Sequence, residues 1–108
     1  RSTLEWNRRQ RQMCIRDRLQ AAETLAPDVV VLDVGMPLLG GIEAARRLVE
    51  RNPGVRIVFL SIHQTPGIVE TALSTGALGY VFKTSADEDL APAIRDSLEG
   101  RSFVSSAE

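Results

Sequence analysis

The stretch DVVVLDVGMPLLGG, residues 28–41, decides the fold. Val29 to Leu32 are aliphatic residues in unbroken succession. A strand with one wet face alternates apolar and polar side chains, so this run predicts a strand buried on both faces, as in a parallel sheet covered by helices. It ends on Asp33, and Gly35, Met36 and Pro37 stop it at once. A carboxylate at the mouth of a buried strand is costly unless something offsets its charge, which marks Asp33 as a position held for a purpose.

Working outward, Leu19, Ala22 and Leu25 recur at helical spacing, and Pro27 ends that helix by about Ala26. Ile42, Ala45, Leu48 and Val49 form an apolar stripe that predicts a helix over about 41–51, closed by Asn52, Pro53 and Gly54. VRIVFLS, 55–61, reads as a second buried strand. Thr65 followed by Pro66 predicts an N-cap and first turn, with the helix running to about Thr75 before Gly76. GYVFK, 79–83, is a third short strand. Ser85 with Glu88 has capping-box spacing, and Leu90, Ile94 and Leu98 are the buried stripe of a last helix that stops at Gly100. Helices and strands alternate, which predicts an α/β fold: a three-layer, doubly wound parallel sheet with right-handed crossovers.

The bulk properties agree. With 108 residues, 44% hydrophobic and 25% charged, the chain suits one soluble globular domain and neither a disordered nor a fibrous class. No apolar run approaches the roughly 20 residues of a membrane helix, and no signal peptide is evident, so the expectation is cytoplasmic with no membrane association. The single cysteine, Cys14, excludes an internal disulfide and a cysteine-rich metal site.

Charge divides the chain. Residues 1–18 carry six arginines against Glu5 and Asp17, a balance of +4, while residues 19–108 carry seven basic and twelve acidic residues, a balance of −5. RSTLEWNRRQRQMCIRDR could be a basic arm for nucleic acid, an Arg-rich targeting peptide or a solvated terminus. It also resembles the translation of a tagmentation sequencing adapter across all eighteen residues. On that reading residues 1–18 are a non-native leader, Cys14 and Trp6 carry no function, and the natural sequence begins near Leu19 with a partial domain over 19–108.

In a parallel sheet all carboxyl ends lie on one edge, and ligands bind in the crevice beyond them. Asp33, Ser61 and Lys83 each stand at or just after such an end, and Lys83 is the sole lysine of the chain. A compact ammonium reaches a single phosphoryl oxygen where a guanidinium fork does not fit. A carboxylate can attack phosphorus to form an aspartyl-phosphate, with a cation and hydrogen-bond donors stabilising the transferring group. Plainer accounts exist for each residue: Asp33 as a turn cap, Ser61 satisfying local backbone groups, Lys83 as a solvated surface residue. Their occurrence at three successive strand ends favours the chemical account.

LDVGMPLLGG, FLSIH and GALGYVFK together resemble the receiver domain of a bacterial two-component response regulator, over about residues 19–108. The spacing fits, with Ser61 standing 28 positions after Asp33 and Lys83 22 after Ser61. The resemblance implies a flavodoxin-like receiver in which Asp33 is the phosphoacceptor, Ser61 the switch hydroxyl, Lys83 the phosphate-contacting lysine and Tyr80 the switch aromatic whose rotamer follows Ser61. The other account of Tyr80 is a core or interface aromatic. The resemblance also implies Mg2+ held by Asp33 and the Gly35 carbonyl, with His63 and Gln64 on the rim. Further implications are a sensor histidine kinase as phosphodonor, homodimerisation on phosphorylation, and no enzymatic turnover beyond self-phosphorylation and self-dephosphorylation. EGRSFVSS resembles the exit from a receiver of the subgroup with a C-terminal LuxR-type helix-turn-helix, so DNA would be bound only through a domain not present here.

Some features depart from that pattern. Ile62 stands where the family usually has a small residue and is expected to narrow access to the phosphoryl site, and Thr84 stands where proline is frequent. A complete receiver opens with a strand bearing paired magnesium-binding acids, then a helix and a second strand. Residues 19–108 contain none of these, so the fold is expected to be incomplete, lacking the first two strands, with the strand at 29–33 at an open edge and no acidic pair for the metal. Two other functions are weighed against the phosphoacceptor. A receiver-like interaction module that is not phosphorylated would lack one of the acceptor, hydroxyl and lysine. An aspartate-nucleophile phosphohydrolase would carry a second aspartate two positions after Asp33, where Gly35 stands.

Overall fold

The computed structural model describes residues 3–6, 29–33 and 38–106. Strand β2, Val29–Asp33, is the predicted buried run. It leads through helix α1, Leu38–Arg51, to β3, Arg56–Ser61, then through α2, Pro66–Leu73, to β4, Gly79–Phe82. A short 3-10 turn, Lys83–Ser85, opens into α3, Ala86–Leu98, and a two-residue strand β5, Phe103–Val104, follows it. A strand β1, Thr3–Trp6, precedes them all.

These strands form one parallel sheet in the order β1-β2-β3-β4-β5. Successive side chains of a strand point to opposite faces, and the two cores divide by that parity. Val30, Leu32, Ile57, Phe59, Tyr80 and Phe82 pack under α1 and α2 with Ile42, Ala45, Leu48 and Ala72. Val29, Val31, Val58 and Val81 pack against α3 with Ala93, Leu90, Ile94 and Leu98. The expected three layers are therefore present.

Several expectations change. The strand at 29–33 does not stand at an open edge: β1 lies parallel along it, Thr3 beside Val29 through Trp6 beside Leu32. β1 comes from the segment read as a leader, and with β5 at the other edge the sheet has five strands rather than three. An apolar edge with unpaired N–H and C=O groups strongly favours any strand-competent neighbour, and TLEW supplies one. The helix expected over 19–26, Cys14 and Gly35 lie outside the described residues.

Helix α1 starts at Leu38 and takes in Gly40 and Gly41, because the buried face of Ile42, Ala44, Ala45 and Leu48 outweighs the glycines' poor propensity. Helix α2 ends at Leu73, two residues short of the expected Thr75. There the Ser74 and Thr75 hydroxyls donate back to the Thr71 and Ala72 carbonyls at 2.6 and 2.7 Å, the local bonding by which such residues compete with a helix. Thr65 occupies the N-cap, but its carbonyl rather than its hydroxyl takes the first amides, those of Ile68 and Val69. The Ser85–Glu88 capping box does not form, since Ser85 leaves the 3-10 turn at φ −114°, ψ 9° rather than in the extended capping conformation. Gly100, at φ 79°, closes α3 with its N–H on the Ser97 carbonyl and that of Arg101 on the Asp96 carbonyl.

β5 was not expected, and its connection explains why. The sheet advances in one direction from β2 to β5, yet α1 and α2 cover one face and α3 the other. The β4–α3–β5 crossover therefore has the opposite hand to the two before it, whereas such crossovers are right-handed in about 98% of cases.

Candidate functional site

The carboxyl ends of β2, β3 and β4 meet on one edge. In register, Asp33 lies beside Leu60 and Ser61 beside Phe82, and Lys83 follows Phe82 directly. The structure brings together the three residues expected there. Lys83 Nζ stands 2.6 Å from Asp33 Oδ1, with the two side chains 23% and 14% exposed, so Lys83 is no freely solvated surface residue. Asp33 Oδ1 is buried and has no hydrogen-bond partner among the described residues. The approach of the ammonium thus falls outside hydrogen-bonding angles, but opposite charges at this separation attract at any angle, and the contact is an ion pair.

Ser61, the last residue of β3, is fully buried, and its Oγ accepts the His63 N–H at 3.0 Å, so the hydroxyl does serve the local backbone. Tyr80 is fully buried too, its ring between Phe59 and Phe82 at centroid distances of 6.1 and 6.0 Å. Its hydroxyl donates to the His63 carbonyl at 2.8 Å. Burial raises the Tyr80 phenol above its usual value of 10.0, and the Ser61 hydroxyl pulls it part of the way back. Tyr80 is a core aromatic whose hydroxyl reaches the His63 backbone in the loop after β3, as the second of the two accounts has it. His63 acts through its backbone, tying Ser61 to Tyr80.

Gln64 Nε2 donates to Thr84 Oγ1 at 3.3 Å, bridging the loop after β3 to the turn after β4. Ile62 is 60% exposed, so it stands out at the rim and is not packed into the crevice. Two polar residues escaped the sequence reading: Ser105, buried in the short last segment, and its partner Asp89. Neither lies in a recognisable motif; the only available signal was a serine following the apolar pair Phe103–Val104.

Among the described residues no group of three or more His, Cys, Asp or Glu could hold a metal ion. Magnesium prefers six oxygens, with one or two carboxylates and several waters. The unpartnered Asp33 Oδ1 is the kind of atom such a cation would take, but the described residues supply that one carboxylate and not the set.

Comparisons with known proteins converge. A model of the response regulator receiver domain family matches residues 10–95. The match begins within the segment read as a leader. The chain is 35% identical over 92 residues to the response regulator GacA of Pseudomonas aeruginosa, covering 85% of this chain and 43% of that protein. A two-component response regulator of the LuxR family from Aurantimonas sp. SI85-9A1 superposes with a TM-score of 0.80 at 26% identity, covering 94% of this chain and 88% of that one. The signal receiver domain of the response regulator NarL from Mycobacterium tuberculosis superposes at 0.70 with 31% identity, covering 82% and 71%. The chain spans 36 to 43% of the length of the first curated relatives it matches. No helix among the described residues is long and apolar enough to cross a membrane.

Proposed function

Since this chain belongs to the response regulator receiver domain family, we propose that it is a phosphoacceptor in a two-component phosphorelay, with Asp33 taking the phosphoryl group. The observation that carries this reading is the ion pair of Lys83 with a buried Asp33 oxygen that has no hydrogen-bond partner among the described residues. An Asp33 oxygen attacks phosphorus as the bond from phosphorus to its donor breaks, the donor being the phosphohistidine of a sensor kinase or a small acyl phosphate. Lys83 then turns its ammonium from the carboxylate to a phosphoryl oxygen, which a four-carbon stem with rotatable donors allows. Ser61 is the switch hydroxyl: its Oγ accepts the His63 amide and keeps its own O–H to donate to a phosphoryl oxygen, while Tyr80 is bonded to the same His63 through its carbonyl.

Magnesium, when bound, neutralises charge between carboxylate and phosphoryl group; Asp33, with the Gly35 carbonyl, would hold it. The described residues provide that one carboxylate and no acidic pair beside it. The output is transcriptional, exerted through a LuxR-type DNA-binding domain beyond this chain and promoted by homodimerisation. Beyond its own phosphorylation and dephosphorylation the domain turns nothing over. An unphosphorylated interaction module is disfavoured by the presence of Asp33, Ser61 and Lys83 together, and a phosphohydrolase by Gly35.

The test is the mass of the intact chain after acetyl phosphate and magnesium, with a second protein in which residues 1–18 are replaced by a relative's first strand and its paired acids. The second protein gains one phosphoryl group and its Asp33→Asn form none, while the chain itself labels far more weakly. Labelling that survives Asp33→Asn overturns the assignment; equal magnesium-dependent labelling of both proteins overturns the need for the acidic pair.

A further inference from the structure

The segment leaving α3 is held to the sheet by specific bonds rather than by a favoured crossover. Phe103 N–H donates to the Leu78 carbonyl at 2.9 Å and Ser105 N–H to the Tyr80 carbonyl at 3.0 Å. The Ser105 hydroxyl then accepts the Phe82 N–H at 3.2 Å and donates to Asp89 Oδ2 at 2.7 Å. Ser105 is 5% exposed while its neighbour Val104 is 42% exposed, so the serine and not the hydrophobe is the buried anchor.

The placement of those partners matters. Phe82 immediately precedes Lys83, and Asp89 sits in the first turns of α3, just after the Lys83–Ser85 turn. One hydroxyl therefore ties the residue before the turn that carries Lys83 to the helix that follows it. We infer that Ser105 is a latch that holds the chain leaving α3 on strand β4 and, through Phe82 and Asp89, positions Lys83 against Asp33. Ser105 touches neither charged group and acts through the backbone. Moving Lys83 off Asp33 displaces the turn and loosens the latch; opening the latch loosens Lys83, since coupling between two sites is reciprocal. Phe103, partly buried against the core under α3, goes with this segment, the strap, when it opens. Where the site takes phosphate, a use that rests on the reading above, the latch links the crevice to the direction in which the chain departs.

The test needs no phosphate, so a failure of phosphorylation and a failure of the latch are told apart. Lys83 is the one lysine of the chain and gives a single side-chain NMR signal. In Ser105→Ala the amides of Phe82 and Ser105 should exchange about tenfold faster, the loss of roughly one buried hydrogen bond, and the Lys83 signal should shift; Ser105→Thr, which keeps the hydroxyl, should stay close to wild type in both. Reciprocally, Asp33→Asn and Lys83→Gln, which break the ion pair from either side, should speed exchange at Phe103 and Ser105. An unmoved Lys83 signal in Ser105→Ala, or unchanged strap protection in both ion-pair variants, overturns the latch. So does equal acceleration at Val31 and Val58, which would make the effect global destabilisation.

Discussion

Breaking the Asp33–Lys83 pair from its two sides should have unequal costs. At 2.6 Å and an effective dielectric of about 20, the gross attraction is about 6 kcal/mol. Both side chains are largely withdrawn from water, and desolvation cancels most of that gain. What remains depends on which partner is left behind. Lys83→Met keeps the apolar stem but strands a buried carboxylate oxygen that has no hydrogen-bond partner among the described residues, at a cost of about 1–3 kcal/mol. Asp33→Asn leaves an ammonium on a long stem that can turn to water, so its cost should stay below about 1 kcal/mol. The double variant should recover most of the Lys83→Met loss. Urea unfolding of the four proteins measures this, with a shift in midpoint at constant slope as the expected form. Equal single costs, or additivity in the double variant, would refute the claim that Lys83 compensates Asp33.

Tyr80 carries a phenol raised by burial above 10.0, so its contribution is complete below that pH and is lost as pH climbs above it, because the unfolded chain releases the proton first. Tyr80→Phe should flatten the alkaline fall in stability while costing about 0.5–1.5 kcal/mol at neutral pH for the bond to His63, as read by denaturant unfolding across pH. Gly79→Ala should cost about 1–3 kcal/mol, since a Cβ there would meet Val58 Cγ2 at 2.9 Å across the strands; a melting temperature equal to wild type would contradict that packing. The Ser97 hydroxyl is fully buried with no hydrogen-bond partner among the described residues, so Ser97→Ala should raise the melting temperature.

The sequence was most legible where one physical signal was strong. Four aliphatics before Asp33 placed β2 to within a residue, and the parallel topology put Asp33, Ser61 and Lys83 on one edge without any contact being known. Helix ends were less legible, because Ser74, Thr75 and Ser85 have several backbone groups within reach and tertiary geometry chooses among them. β1 was missed because charge and the resemblance to a translated adapter argued against the whole segment, while an open apolar edge needs only a short run of strand formers. β5 was missed because its crossover has the disfavoured hand and its anchor, Ser105, is a small polar residue that becomes significant only beside Phe82 and Asp89.

The central claim is that the edge where β2, β3 and β4 end is a phosphoryl-accepting site centred on Asp33. Borohydride reduction of the acyl phosphate, followed by peptide mapping, tests it most directly, because it marks the carboxylate that carried the phosphoryl group. With the paired acids supplied, acetyl phosphate and magnesium should yield the reduced residue at position 33 alone. Reduction at another carboxylate, such as Asp87 or Asp89 near the turn after Lys83, with position 33 unmodified, would contradict it.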